Sequence, residues 1–310
     1  MNFATLFSGG ELFGVGARQA GLIHAWGVEI DPKIAAVAQA NDFDVHCGDA
    51  YFFSPPPVDL FLLHASPPCQ RASIANPINW EEFTDLRLAQ ATTLIVAELM
   101  PQFFTLENVI NYRNFNAFEH ICESLSDLDY SFDYWNLNMA DFGIPQTRKR
   151  LILIARRDGK RIRRIEATHK QHPDMFAKRW VSWGEALQGK IKDLPDTTLS
   201  KKQIKKISER IPFDTLGFVT DTQNTNRKNT IRLWGQPFFT ATAHTTKGYA
   251  KGRLPCGRLF RMNQAGYAAI QTVPDDYVFK GTKRTIQKVI GNGVPPLFAK
   301  RLCKHLLTIK

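Results

Sequence analysis

The chain has no cysteine pair at CxxC spacing and no histidine pair at metal-ligand spacing. Its five cysteines, at 47, 69, 122, 256 and 303, are odd in number and scattered. Neither a disulfide framework nor a zinc site is expected, and a reducing compartment fits. Long hydrophobic runs are also missing. The longest fall far short of the roughly 20 residues that cross a bilayer, so no membrane span is expected. The opening Met1-Asn2-Phe3-Ala4-Thr5-Leu6 lacks the basic start and cleavage site of a secretory signal and reads as a first strand. Acidic residues are scarce at one end: residues 251–310 hold 2 Asp and Glu against 12 Lys and Arg. Residues 151–250 hold 9 against 20, whereas residues 1–150 hold 18 against 8. The formal charge of +11 therefore hides an acidic first half and a basic second half. The basic part is a candidate polyanion surface, although basic solvated faces are common.

What is present is a chain of 310 residues, 44% hydrophobic, long enough for one large domain or two unequal ones. Short apolar runs predict strands at Asn2–Phe7, His24–Val28, Val58–His64, Phe103–Leu106 and Leu151–Ala155. Helical patterns fall between them at Gly14–Ala20, Pro32–Ala40, Leu86–Met100 and Ala117–Leu128. This alternation predicts right-handed βαβ units and a parallel, Rossmann-like α/β sheet. From about residue 156 the chain turns Lys-, Arg-, Thr- and Asn-rich with isolated aromatics, which reads as a second, smaller domain. The expected boundaries are 1–158, 159–250 and a closing segment, 251–310. In that segment Leu297, Leu302 and Leu306 predict an amphipathic helix packing back on the first domain.

The most informative stretch is Ser66-Pro67-Pro68-Cys69-Gln70. It ends an apolar run of the kind a buried parallel strand shows. The prolines stiffen the backbone and exclude helix. Cys69 thus stands on a rigid loop at the carboxyl end of a strand, where open α/β sheets bind ligands. That suits a nucleophile; a small buried hydrophobe is the other reading. At the first strand's end, Phe7, Ser8, Gly9 and Gly10 form a glycine-rich turn that lets backbone N–H groups approach a ligand, or a plain tight turn. Glu29, Ile30 and Asp31 close the second strand about 20 residues after that turn, where an acid binds ribose hydroxyls. Asp31 also suits the N-cap of a helix starting at Pro32. Asp49 follows a third short strand, placed to accept from an adenine amino group. The set describes a nucleoside-type cofactor without separating a dinucleotide from S-adenosylmethionine.

Six blocks stand in one order: Phe7-Ser8-Gly9, Glu29-Ile30-Asp31, Pro67-Pro68-Cys69-Gln70, Glu107-Asn108-Val109, Gln146-Thr147-Arg148-Lys149-Arg150 and Gly291-Asn292-Gly293-Val294-Pro295-Pro296. Together they resemble the C5-cytosine DNA methyltransferases of bacteria and phages, over nearly the whole chain except about residues 160–235. The resemblance implies an S-adenosylmethionine-dependent methyltransferase sheet domain (1–158) with a smaller target-recognition domain (159–250). It implies that Cys69 attacks carbon 6 of a flipped cytosine as a thiolate, turning the ring into an enamine that takes methyl at carbon 5. Glu107 matches the family's acid at ring N3, or is a buried strand-end acid paired with arginine. Arg148 and Arg150, at i and i+2 of a strand and hence on one face, would clamp the base carbonyl and hold Glu107, or else contact phosphate. The cofactor set implied is Phe7, Ser8, Gly9, Gly10, Glu29, Ile30, Asp49, Pro68, Asn292 and Val294. Gln70, Arg71, Ser73 and Thr240 are implied in DNA binding, with Thr240 on a phosphate. Arg261 and Gln271 match a further family block. Candidate base readers lie in Lys201–Arg210 and Gln223–Asn229, where most residues would touch only phosphate or solvent.

Two departures stand out. The family's first block usually runs Gly-x-Gly-Gly, whereas Glu11 and Leu12 follow Gly10 here, which questions the backbone path; Glu11 would reach the cofactor's ammonium or weaken binding. An Arg-Glu pair usual in the family reads Ala265-Gly266, so a structural ion pair is lost. The expected partner is double-stranded DNA, with a cognate restriction endonuclease on the same site as a further candidate. A cytoplasmic monomer is expected. The alternatives are a tRNA cytosine-5 methyltransferase, whose relatives carry a Cys-Phe-Thr motif absent here, and a catalytically silent DNA-binding homologue.

Overall fold

The computed structural model describes residues 1–68, 81–212, 214–221, 231–243 and 250–309. The apolar runs of the first half become a seven-stranded sheet. Its strands are β1 (Asn2–Leu6), β2 (Ile23–Glu29), β3 (Val45–Cys47), β4 (Leu60–Ala65), β5 (Phe103–Asn108), β6 (Ser131–Asn138) and β8 (Lys149–Arg156), with a short β7 (Gln146–Thr147) outside it. The spatial order is β3-β2-β1-β4-β5-β8-β6. Strands β1 to β5 are parallel, as expected. The sheet as a whole is mixed, because β8 runs antiparallel to both β5 and β6. Residues 139–148 join β6 to β8 without a helix long enough for a parallel crossover, so the chain folds back as a hairpin. Strand β6 escaped the sequence reading because it lies at the sheet edge, half-exposed and mixed in polarity.

Helices cover both faces. On one, α1 (Leu12–Gln19) and the closing helix, α9 below, share a core of Phe13, Leu22, Phe298, Leu302 and Leu306. After α2 (Pro32–Gln39), helices α3 (Phe83–Leu99) and α4 (Asn116–Asp127) bury Ala89, Ile95, Ile121 and Leu125 on the other face. Asp31 caps α2 by accepting from Lys33 N at 3.0 Å, with Pro32 at the first helical position.

The basic half has small elements. β9 (His169–Lys170) and β10 (Lys178–Arg179) pair, followed by α5 (Trp183–Leu187) and α6 (Lys201–Ser208). β11 (Phe218–Thr220), β12 (Ile231–Leu233), β14 (Lys251–Arg253) and β15 (Leu259–Arg261) form an antiparallel sheet in the order β12-β11-β14-β15. β13 (Phe238–Phe239) pairs with β7. Helices α7 (Gln264–Ile270), α8 (Lys283–Asn292) and α9 (Pro296–Thr308) close the chain. A third core around Trp183, Phe238, Phe260 and Tyr267 includes Leu12, Ile34 and Val37, so it joins α1 and α2 to the basic half. Asn263 caps α7 through Gly266 N at 2.8 Å, where the family's Arg-Glu pair is replaced.

Candidate active site

The parallel strands end at one edge of the sheet, and the chemistry-bearing residues gather there. Glu107, at the end of β5, is 5% exposed. Arg150 Nε stands 2.9 Å from its Oε1, an ion pair, and Arg148 Nη2 is 4.0 Å from the same oxygen. The two arginines thus divide the role predicted for both. Arg150 holds Glu107. Arg148, 1% exposed, spends Nη1 on the carbonyls of Ala241 (3.2 Å) and Gly291 (2.9 Å), tying β8 to the closing segments. Burial, then the charge of Arg150, pulls the Arg148 guanidinium down to about 9, against the attraction of Glu107. It remains a cation at neutral pH. Burial likewise lowers Arg150, with Glu107 opposing.

Cys69, Gln70, Arg71, Ser73 and Gln223–Asn229 lie outside the described residues. The chain leading to Cys69 is fixed, however. Asn108 Nδ2 donates to Pro67 O at 3.1 Å, and its Oδ1 accepts from Val109 N at 2.8 Å. Ser66 N donates to Leu6 O at 3.3 Å. Beneath it, buried His64 bridges Thr105 Oγ1 and Ser66 Oγ, both at 2.9 Å, and stacks on Phe13 with centroids 3.6 Å apart. Burial pushes His64 down to about 3, so it is neutral at physiological pH. Beyond the undescribed stretch, Glu81 accepts from Asn116 N (3.0 Å) and Ala117 N (2.6 Å) at the start of α4. Sequence reasoning missed His64 and the part played by Asn108. Asn108 sat inside a quoted block; His64 looked like one more dispersed histidine.

Gln146 organises the opposite wall. Its Nε2 donates to Ile270 O at 3.1 Å and to Gln271 Oε1, and its Oε1 accepts from Ala241 N at 3.0 Å. Gln271 in turn donates to Gly293 O at 2.6 Å. Thr240 Oγ1 donates to Thr147 O at 2.9 Å, so its proton is spent inside the protein.

The glycine turn departs from expectation. Glu11 takes a left-handed conformation (φ 58°), which holds the path a glycine would follow. Its side chain is fully buried and turns inward, away from any ligand. Thr5 Oγ1 donates to it, and His24 Nε2 lies 3.4 Å away. Gly14 and Gly27 leave the space it fills. Gly10 also faces inward, under Val289 and Tyr277, whose hydroxyl donates to Gly10 O. Val294 lies in the α1–α9 core. Glu11 therefore holds the turn from behind. Asp49 accepts from Tyr51 N at 3.0 Å and pairs with Arg87 at 2.7 Å.

Residues 1–308 match the C-5 cytosine-specific DNA methylase family. The chain belongs to that family. It is a DNA cytosine-5 methyltransferase whose methyl donor is S-adenosylmethionine. Among curated relatives, the type II methyltransferase M1.HphI of Haemophilus parahaemolyticus is 28% identical over 337 residues, covering 99% of this chain and 87% of that protein. M.HhaI, from the same species, is 25% identical over 300 residues, covering 95% and 90%. Among solved structures, a DNA modification methyltransferase encoded within an E. coli prophage superimposes with a TM-score of 0.71 at 21% identity, over 99% of both chains. DNMT2 of Spodoptera frugiperda gives 0.68 at 16%, again over 99% of both. At these identities the two structures bear on the fold alone.

The turn of this methyltransferase fits the donor. Gly9 is left-handed (φ 57°), with open space where a side chain would stand. Ser8 Oγ is buried without a partner among the described residues. Glu29 takes Gly9 N (3.0 Å) on one oxygen and Asp31 N (2.8 Å) on the other. Burial raises the Glu29 carboxyl, opposed by those N–H groups. Ile30 offers an apolar side chain 66% exposed at the same edge. Phe7, also left-handed, is half-buried, and Pro68 and Asn292 are exposed.

Proposed function

We propose that the edge formed by β1, β2, β4 and β5 methylates a cytosine flipped out of duplex DNA, with Cys69 as nucleophile and Glu107 at ring N3. The observation that carries this reading is the buried Glu107–Arg150 pair, whose chain neighbour Asn108 donates to Pro67 O, two residues before Cys69 in sequence. A carboxyl fixed by a guanidinium presents its remaining oxygen to one face of the pocket. There it is set to bond the N3 position as charge develops.

The Cys69 thiolate adds to carbon 6, forming a C–S bond and moving electron density to carbon 5. Bound S-adenosylmethionine would supply an electrophilic methyl group to the carbon 5 electron pair, its S–CH3 bond breaking so that S-adenosylhomocysteine is the leaving group. Loss of the carbon 5 proton to solvent then restores the double bond and expels the thiolate, so the enzyme returns unchanged. Glu29 orients the ribose, Gly9 presents its backbone, and Arg150 keeps Glu107 in register. Arg148 acts as a positioning residue. Thr240 meets a phosphate only through its lone pairs or by releasing Thr147 O.

Residues 1–158 act as the catalytic and cofactor-binding unit, 159–250 as the target-recognition unit, except that Ile162 and Ile165 pack into the core of the first unit and seat residues 160–166 there, and 251–310 as the return to the first. The four lysines of α6 approach DNA. Curated relatives named type II methyltransferases support a restriction-modification setting. A cognate endonuclease on the same site and a monomer acting in the cytoplasm complete the proposed reading. The same relatives support DNA over tRNA.

The test is tritium transfer from labelled S-adenosylmethionine to unmethylated genomic DNA, followed by bisulfite sequencing. Label at carbon 5 in one short sequence context is expected. Cys69→Ala should abolish it, and Glu107→Gln should lower the rate about 10²-fold or more with folding intact. A Cys69→Ala protein methylating at full rate would refute the mechanism; label on tRNA alone would refute the substrate.

A further inference from the structure

A second basic surface lies at the opposite edge of the sheet. Arg150, beside Glu107, and Arg156 stand at the two ends of β8, six residues or about 20 Å apart along an extended strand. Arg156 pairs with Phe103, where β5 begins, and so marks the edge remote from the active site. A groove of about 740 Å³ opens there. Arg156, Lys160, Arg161, Arg163 and Arg164 line it, Glu166 is the one acid in its lining, and the end of α9 forms the other wall.

The segment is built to face its cations outward. Ile162 and Ile165 are buried in the core shared by α1 and α9, and His305 bonds Arg163 O at 2.7 Å. Arg161, Arg163 and Arg164 are exposed. Asp158 takes Arg156 and Lys160 as partners. No acid pairs with the other three arginines among the described residues. Three like charges held close together on an anchored chain repel one another, and a polyanion relieves that repulsion.

We propose that this groove binds the phosphate backbone of a second stretch of duplex DNA while the first is engaged at the catalytic edge. The inference uses only the DNA substrate of the established activity and not the roles assigned to Cys69 or Glu107. DNA is stiff over about 150 bp, so a short duplex cannot curve around to reach both edges. Long DNA can. The enzyme thereby holds a distant segment of the same molecule and passes between segments without full release.

The experiment compares methylation of intact unmethylated genomic DNA with the same DNA sheared to about 30 bp, well below that stiffness length. Wild-type enzyme should show several-fold higher kcat/KM per site on intact DNA. The variant R161Q/R163Q/R164Q should lose that advantage, match wild type on sheared DNA and keep kcat. Its log–log salt slope on intact DNA should fall by about 2 to 3, near 0.9 per lost phosphate contact. R161K/R163K/R164K, which keeps the charge, should retain the advantage and serves if the glutamine variant fails to fold. An unchanged advantage in R161Q/R163Q/R164Q would overturn the proposal. So would an equal loss on both DNA lengths, which would put these residues in the primary interface. So would removal of the advantage by low concentrations of pyrophosphate, which would make the groove a small-phosphate site.

Discussion

Glu11 shows how one residue can break a family pattern and still keep the backbone that pattern requires. A left-handed conformation costs a non-glycine residue about 1 kcal/mol, and here the contacts of the buried carboxylate with Thr5 and His24 offset it. Glu11→Ala should destabilise the protein by about 2–4 kcal/mol, because it keeps the left-handed cost, empties the space under α1 and leaves Thr5 without its acceptor. Glu11→Gly makes the same deletion but removes the backbone cost, so it should be milder by about 1 kcal/mol. Urea unfolding of the two variants measures that difference; equal midpoints would mean that the left-handed turn is not maintained. His64 yields a pH prediction. Its pKa is about 3 when folded, against 6.5 for the free side chain. Between these values the unfolded chain binds more protons, so stability falls as pH drops from 6.5 towards 3 and levels off below. His64→Gln should flatten this part of the urea-midpoint profile, whatever it does to absolute stability.

Among the elements, the critical contact is the crossing of α8 with the run after β13. A Cβ on Gly291 would overlap the backbone of Thr242 and Ala243, which cannot step aside as a side-chain tip would. The same crossing supplies Arg148 with both its carbonyl partners. Gly291→Ala should therefore lower the melting temperature by several degrees and cut kcat/KM through displacement of Arg148. Differential scanning fluorimetry and methyl transfer read the two effects, and a variant with wild-type values for both would show that the crossing is looser than this. Elements with a clear hydrophobic period were legible: β1, β2, β4, β5, β8, α1, α2, α3, α4 and α9 fall within a few residues of their predicted positions. Strand β6 was not, since an edge strand buries too little to write an alternation into its residues. The direction of β8 was not either, because strand direction depends on the connection and leaves no mark on composition.

For the whole molecule, the charge asymmetry predicts how it meets DNA. The acidic half holds the catalytic edge and the basic half supplies cations. If six or more phosphates are engaged, duplex affinity should fall about 10³-fold or more between 50 and 200 mM salt, measured by fluorescence anisotropy. A flat response would remove the basic half from the interface. The third core makes the two halves one folding problem. Leu12, Ile34 and Val37 from the first half pack with Trp183 and Phe260 from the second, so truncation near residue 250 should expose apolar surface and not release a stable first domain.

The sequence by itself determined the family and the cofactor class, because short blocks that serve one chemistry are preserved in order. It also determined the parallel part of the sheet, through runs that only a doubly buried strand tolerates. The tertiary structure alone decided which arginine holds Glu107, that the Glu11 side chain is buried against Thr5 and His24, and that five cations converge at the far edge of the sheet. Each of those depends on where a side chain points once distant segments pack together, and that direction is not written into spacing along the chain.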